Sequence, residues 1–287
     1  MRGRRFLGSL LFLTLVVLLV REFVHRWSTY YEHGSLRPPY AVLHPAYYGQ
    51  LALWIDPVPC ASSPGCTTVV HRTAHEIVQE TAEILGWEAQ LWHYFRWVRL
   101  SHGPDSCPAP QSRLPQAKAW APDIVVVLDL MPPKPSCCLT LRRLLGYIGL
   151  RPLRRGYRIS YLAQGPGAER SRCLARAVDS TLKLAGFWGF HTQRLRPVVA
   201  SQEPRLAPYA THPAATILLE FAPCDSDYEK LLRAKWIRRW MMRTVLAGIT
   251  VYLSQAHACH VEPRVSHPEG VSSESPVSAT TALPPYR

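Results

Sequence analysis

Thr216-Ile-Leu-Leu-Glu220-Phe221 is an apolar run with a single carboxylate inside it. Large aliphatic residues without polar alternation mark a strand covered on both faces, which points to a layered α/β sheet rather than a surface hairpin. A second run of this kind, Ile124-Val-Val-Val-Leu128, is followed directly by Asp129. Leu51-Ala-Leu-Trp-Ile-Asp56 is a third, shorter run stopped by an Asp-Pro. Leu91–Leu100 is rich in aromatic and β-branched residues, and Tyr157–Leu162 alternates, so both read as strands.

Helical spacing lies between these runs. Ile77, Val78, Ala82, Ile84 and Leu85 recur near a 3.6 period within Thr73–Leu85, and Gly86 is expected to end that helix. Leu174, Ala175, Val178 and Leu182 place a second helix over Ser171–Leu184, and Asp225–Leu253 reads as one or two amphipathic helices. The proline-rich stretch from His102 to Pro115 is expected to be a loop. The order of elements predicts an α/β domain with a layered mixed β-sheet flanked by helices.

Both ends of the chain differ in character from this middle. Arg2, Arg4 and Arg5 precede Phe6–Val20, an uncharged apolar run that as a helix would cover about 22 Å. No A-x-A-like cleavage site follows, so the run is read as a retained signal-anchor. The arginines place its start in the cytoplasm and the rest of the chain across the plasma (inner) membrane. The expected organisation is an anchor over 1–26, a linker over 27–50, an α/β domain over 51–259 and a disordered Ser/Pro-rich tail over 260–287. Eight cysteines without any C-x-x-C pair fit an oxidising compartment. Cys60 and Cys66 flank a turn and could close a small loop, but pairings do not follow from spacing. The 287 residues contain 33 Lys+Arg and 20 Asp+Glu, a net charge of +13. The excess gathers in Arg142–Arg158 and Lys230–Arg243. Without a zinc-knuckle or RNP-like motif these stretches are read as solvated helix faces near a membrane, and no nucleic-acid partner is expected.

The block from His212 through Glu220 and Asp225 to Ala247-Gly-Ile-Thr-Val-Tyr-Leu253 resembles the end of the zinc-dependent N-acetylmuramoyl-L-alanine amidases. There a strand carries the catalytic glutamate, then an acidic loop, a helix and a "G-I-x-x-Y-L" ending follow. Upstream, Ile55-Asp56-Pro57 with Pro64-Gly65 is similar to the opening "D-P-G-H-G-G-x-x-P-G". Glu76 stands where a helix-borne zinc glutamate is found. Val98-Arg99 resembles the "l-T-R" strand end, and Arg113 to Asp129 resembles "R-x-x-x-A-N-x-x-x-A-D" with its following "S-i-H" strand. Gly156–Leu162 and Ser171–Ala175 resemble the next two motifs. The similarity covers residues 51–253.

The resemblance implies a cell-wall hydrolase fold, with zinc as cofactor if the chain is active. Two departures change that expectation. Pro59 stands in place of the first zinc histidine and Asp129 in place of the second. A catalytic zinc takes about three protein ligands and one open position. On this alignment only Glu76 remains, with Asp129 as an oxygen ligand. A rebuilt site would draw on Cys60, Glu76 and Asp129, or on His71 and His75, which share a face if the helix starts early. Glu220 stands as the catalytic carboxylate, or else as a structural partner of Arg99 or Arg113. The favoured expectation is a catalytically degenerate domain that binds no metal and holds peptidoglycan or a cell-envelope protein. An active amidase with altered ligands and a non-enzymatic envelope assembly component are the alternatives.

Overall fold

A computed structural model describes residues 14–20, 49–91, 94–133, 156–187, 198–201, 203–226 and 229–255. The chain divides into two compact units, Met1–Arg37 and Pro38–Arg287. In the first, residues 14–20 are helical, with Leu15, Val17, Leu19 and Val20 exposed. The remainder of the expected anchor lies outside the described residues, as do the linker before Gly49, Cys137, Cys138, Cys259, the basic stretch up to Arg155 and the tail. Among the described residues no helix is long and apolar enough to cross a membrane.

The second unit holds a six-stranded sheet. Its strands are β1 (Leu51–Pro57), β2 (Phe95–Leu100), β3 (Ile124–Met131), β4 (Arg158–Leu162), β5 (Val198–Ser201) and β6 (Ala215–Pro223). The spatial order is β2-β1-β3-β6-β4-β5. The pairs β2/β1, β1/β3, β3/β6 and β4/β5 are parallel, while β4 runs antiparallel to β6, so the sheet is mixed as expected. The apolar runs that marked β3 and β6 become its central strands, and every residue of both is buried. Their register pairs Val125 with Thr216, Val127 with Leu218 and Asp129 with Glu220.

Helices α1 (Ala74–Leu91), α3 (Ala168–Leu184) and α5 (Lys235–Ser254) cover one face, on Leu53, Ile55, Val126, Leu128, Ile217 and Leu219. The opposite face carries Trp54, Val125, Val127 and Leu218, joined by Ala117 from α2 (Pro110–Trp120) and Tyr209 from the 3₁₀ turn Ala207–Tyr209. A short α4 (Glu229–Arg233) precedes α5. The alternation of side chains along each strand therefore puts Asp56, Asp129 and Glu220 on the second face.

Three local expectations are corrected. Helix α1 does not stop at Gly86 but continues to Leu91. A Cβ at Gly86 would meet Leu100 Cδ1 at 3.1 Å, so this glycine lets the helix lie close on β2 rather than ending it. Part of the expected loop after His102 is helix α2, which opens on Pro110. Proline suits a first turn because the N–H it lacks would be unpaired there. The edge strand β5 is short and was not anticipated. The small Cys60–Cys66 loop is also replaced. Cys60 bonds Cys107 beyond β2, and Cys66 bonds Cys224 at the end of β6, with Cα separations of 5.1 and 6.4 Å. The residues between Cys60 and Cys66 need no disulfide to turn, because the Cys60 and Ser63 backbones hydrogen-bond each other.

Candidate functional site

Three neighbouring parallel strands, β1, β3 and β6, each carry a buried carboxylate in their last four residues: Asp56, Asp129 and Glu220, with 3%, 8% and 0% of their surface exposed. Carboxylates this deep need cations or hydrogen-bond donors. Asp56 receives hydrogen bonds from Ser101 Oγ at 2.5 Å, Arg113 Nη1 at 3.0 Å and the Tyr209 hydroxyl at 2.7 Å. Asp129 and Glu220 share one arginine. Arg205 donates from Nη1 to Asp129 Oδ2 at 2.5 Å, from Nη2 to Glu220 Oε1 at 3.0 Å and from Nε to Glu203 Oε1 at 2.9 Å. The second oxygen of Glu220 accepts from Arg158 Nε, which lies opposite it in register on β4. The second oxygen of Asp129 accepts from the Leu130 N–H. Even so, burial pushes the Asp129 carboxyl up to about 6, against the pull of Arg205.

The structure brings Asp129 and Glu220 together, and the other two candidates have different partners. Glu76 is exposed. Its Oε2 accepts from the Thr73 N–H at 2.7 Å, while the Thr73 hydroxyl accepts from the Glu76 N–H at 3.2 Å. This reciprocal pair is a capping box at the start of α1. The Thr73 N–H is also the main cause that holds the Glu76 carboxyl below its ordinary range. The Cys60 sulfur is bonded to Cys107 and is no thiolate. Helix α1 starts at Ala74, so His71 lies in the turn before it and shares no helix face with His75. The His75 ring lies between the Pro59 and Pro104 carbonyls at 3.3 and 3.0 Å, bracing the loop after β1. The expected structural partners of Glu220 are replaced as well: Arg113 serves Asp56, and Arg99 stacks on Trp120 at 3.9 Å.

These residues do not fit a catalytic zinc. The thiol is oxidised, Glu76 caps its own helix, and Asp129 and Glu220 are held by a guanidinium. Among the described residues no group of three or more His, Cys, Asp or Glu side chains is placed to hold a metal. The basic stretch on α4 and α5 also differs from its reading as a solvated face. Arg238 pairs with Glu80, and Arg239 and Arg243 pair with Glu88.

Sequence reasoning missed Arg205, Arg158 and Tyr209. Arg158 carried a weak signal as a charge opening an alternating strand. Arg205 carried none, because it lies in the irregular stretch Glu203-Pro-Arg-Leu-Ala-Pro-Tyr209, outside every motif of the resemblance.

No family model and no curated relative matches the chain. Solved structures do match. The amidase Ami1 from Mycobacterium smegmatis superposes with a TM-score of 0.55 at 14% identity, over 71% of this chain and 97% of that one. An amidase from Clostridium difficile 630 gives 0.55 at 14% identity, over 72% and 98%. AmiC2 of Nostoc punctiforme gives 0.51 at 13% identity, over 71% and 98%. At such identities the likeness is one of fold, and it covers nearly the whole of each matched chain. The chain has the fold of N-acetylmuramoyl-L-alanine amidase catalytic domains.

Proposed function

We propose that this chain is a non-catalytic binding domain on an amidase fold, carried outside the cytoplasm and tethered to the membrane by Phe6–Val20. Its ligand is peptidoglycan or a cell-envelope protein held at the strand ends. One observation carries the reading. Arg205 fills the space between Asp129 and Glu220, so the carboxylates are paired rather than poised. A general base without an activated water has nothing to deprotonate, whereas a paired, ordered strand-end surface is suited to binding. The two disulfides between described residues support an oxidising compartment.

The test uses the full chain in detergent. Purified sacculi are pelleted with the protein, and release of stem peptides is followed with and without added zinc. Binding without release is expected, with and without zinc. Zinc-dependent release that Glu220→Gln abolishes would instead show a working amidase. No binding to sacculi would remove peptidoglycan as the ligand and leave a cell-envelope protein, the partner an assembly component would hold.

A further inference from the structure

The cation of the strand-end site is part of the chain. We propose that the Arg205 guanidinium is a resident cation that holds Asp129 and Glu220 in place of a metal ion, and that the domain depends on it for stability. This goes beyond the ligand reading and does not depend on what the strand ends bind.

Asp129 and Glu220 face each other in register on adjacent strands and are both buried. Two carboxylates on paired residues of adjacent strands repel each other. Burial raises that cost, so the pair needs a positive group between its members. Arg205 supplies it with separate nitrogens, one for each carboxylate, and the planar fork of a guanidinium suits this bridging. Arg158 reaches Glu220 alone, so among the described residues Arg205 is the only cation paired with Asp129.

The placement of Arg205 is built rather than incidental. Its third nitrogen is fixed by Glu203, whose own N–H donates to Ser201 Oγ at 3.0 Å. The next residue, Leu206, is buried at 1% exposure against the second sheet face, and Tyr209 is tied to Asp56. One short stretch thus delivers a side chain to the end of each of β1, β3 and β6. A dangling surface arginine has no such scaffold.

The experiment follows thermal unfolding of the full chain in detergent at neutral pH, with EDTA, without additive, and with Mn²⁺ or Ca²⁺. The melting temperature of the unaltered chain is expected to be the same in all conditions. Arg205→Ala should lower it by about 10 °C, as expected for a buried charge stripped of its partner. Adding Asp129→Asn to Arg205→Ala should recover part of the loss without metal, because the unpaired charge is gone. Oxygen donors favour hard divalent cations, so Mn²⁺ or Ca²⁺ should also raise the melting temperature of Arg205→Ala. That rise should vanish in the double variant. If Arg205→Ala does not fold, Arg205→Lys and the double variant carry the same comparison. A fall on adding EDTA to the unaltered chain would show that a metal is the true cation and overturn the proposal together with the non-catalytic reading. An Arg205→Ala chain as stable as the original, or one whose loss neither Asp129→Asn nor divalent cation moves, would overturn the proposal alone.

Discussion

Glu88 and Glu220 are both fully buried glutamates, and each is held by two arginines, yet they sit in different kinds of surroundings. Glu88 lies on α1 and takes Arg239 and Arg243 from α5, with Arg239 also stacked on Trp87 at 4.5 Å. All its partners come from two packed helices, and its two oxygens account for both arginines. Glu220 takes Arg158 from a neighbouring strand and Arg205 from an irregular stretch, and Arg205 is shared with Asp129 and Glu203. The first arrangement is a closed staple between helices. The second is a branched network at the strand ends, where one cation answers several carboxylates. A doubly paired buried glutamate is therefore no functional signature by itself. The branching and the position at the ends of parallel strands set Glu220 apart.

Covalent pinning deepens the contrast. The Cys66–Cys224 disulfide anchors the end of β6, four residues beyond Glu220, to the loop between β1 and α1, and its ends are 158 residues apart. A cross-link over so long a loop is worth about 5 kcal/mol in the chain-entropy picture. Replacing both cysteines by serine should lower the melting temperature by about 10–20 °C. Hydrogen exchange should rise along β6 before it rises along α1. Uniform loosening of both glutamate regions would erase the distinction.

The helix staple is tested next by replacing Arg239 and Arg243 together with methionine. Glu88 would then be a buried charge with neither arginine, at a cost of about 3–5 kcal/mol. The single variants should each cost well under half of that, because the remaining arginine still answers the carboxylate. Sacculus binding should be unchanged in all three once the proteins are folded. Altered binding at temperatures below unfolding would mean that Glu88 belongs to a ligand surface, and the contrast with Glu220 would fail.

How far each region could be read beforehand follows from the kind of signal each emits. The central strands were legible because burial on both faces leaves an unbroken aliphatic run, as in Ile124–Leu128 and Thr216–Phe221. The helices α1 and α3 were legible from their spacing, although Gly86 was misread, since a glycine that ends a helix and one that admits a neighbouring strand look alike in sequence. Glu220 and Asp129 stood out because a carboxylate in or after an apolar strand must be answered by something. What answers them was not legible. Arg205 reaches the strand ends through tertiary folding of a stretch with no period, and the chain has 33 basic residues to choose from. Cys60 could be read as a metal ligand or as the partner of Cys66, because a thiol and half a disulfide are the same letter, and its actual partner Cys107 lies 47 residues away.

The smallest expected effect concerns how the strand-end network responds to acid. The Asp129 carboxyl is pushed up to about 6 by burial, which outweighs the pull of Arg205, from an ordinary value of 3.8. Between these two values the folded chain keeps a proton that the unfolded chain has lost. Stability from this group therefore falls as pH rises from about 4 to about 6 and is level on either side. A shift of about two units bounds the change at roughly 3 kcal/mol, and sharing of charge with Glu220 and Arg205 reduces it. Denaturant unfolding of the full chain across this window should show the slope. Asp129→Asn should flatten it while keeping the bond from the Leu130 N–H, since the asparagine carbonyl can accept in the same place. Glu88→Gln, which takes the titratable group out of the helix staple, should leave the slope as it is, because Glu88 touches neither Asp129 nor its partners. A slope that survives Asp129→Asn and disappears with Glu88→Gln would reverse the assignment and make the helix pair the acid-sensitive region.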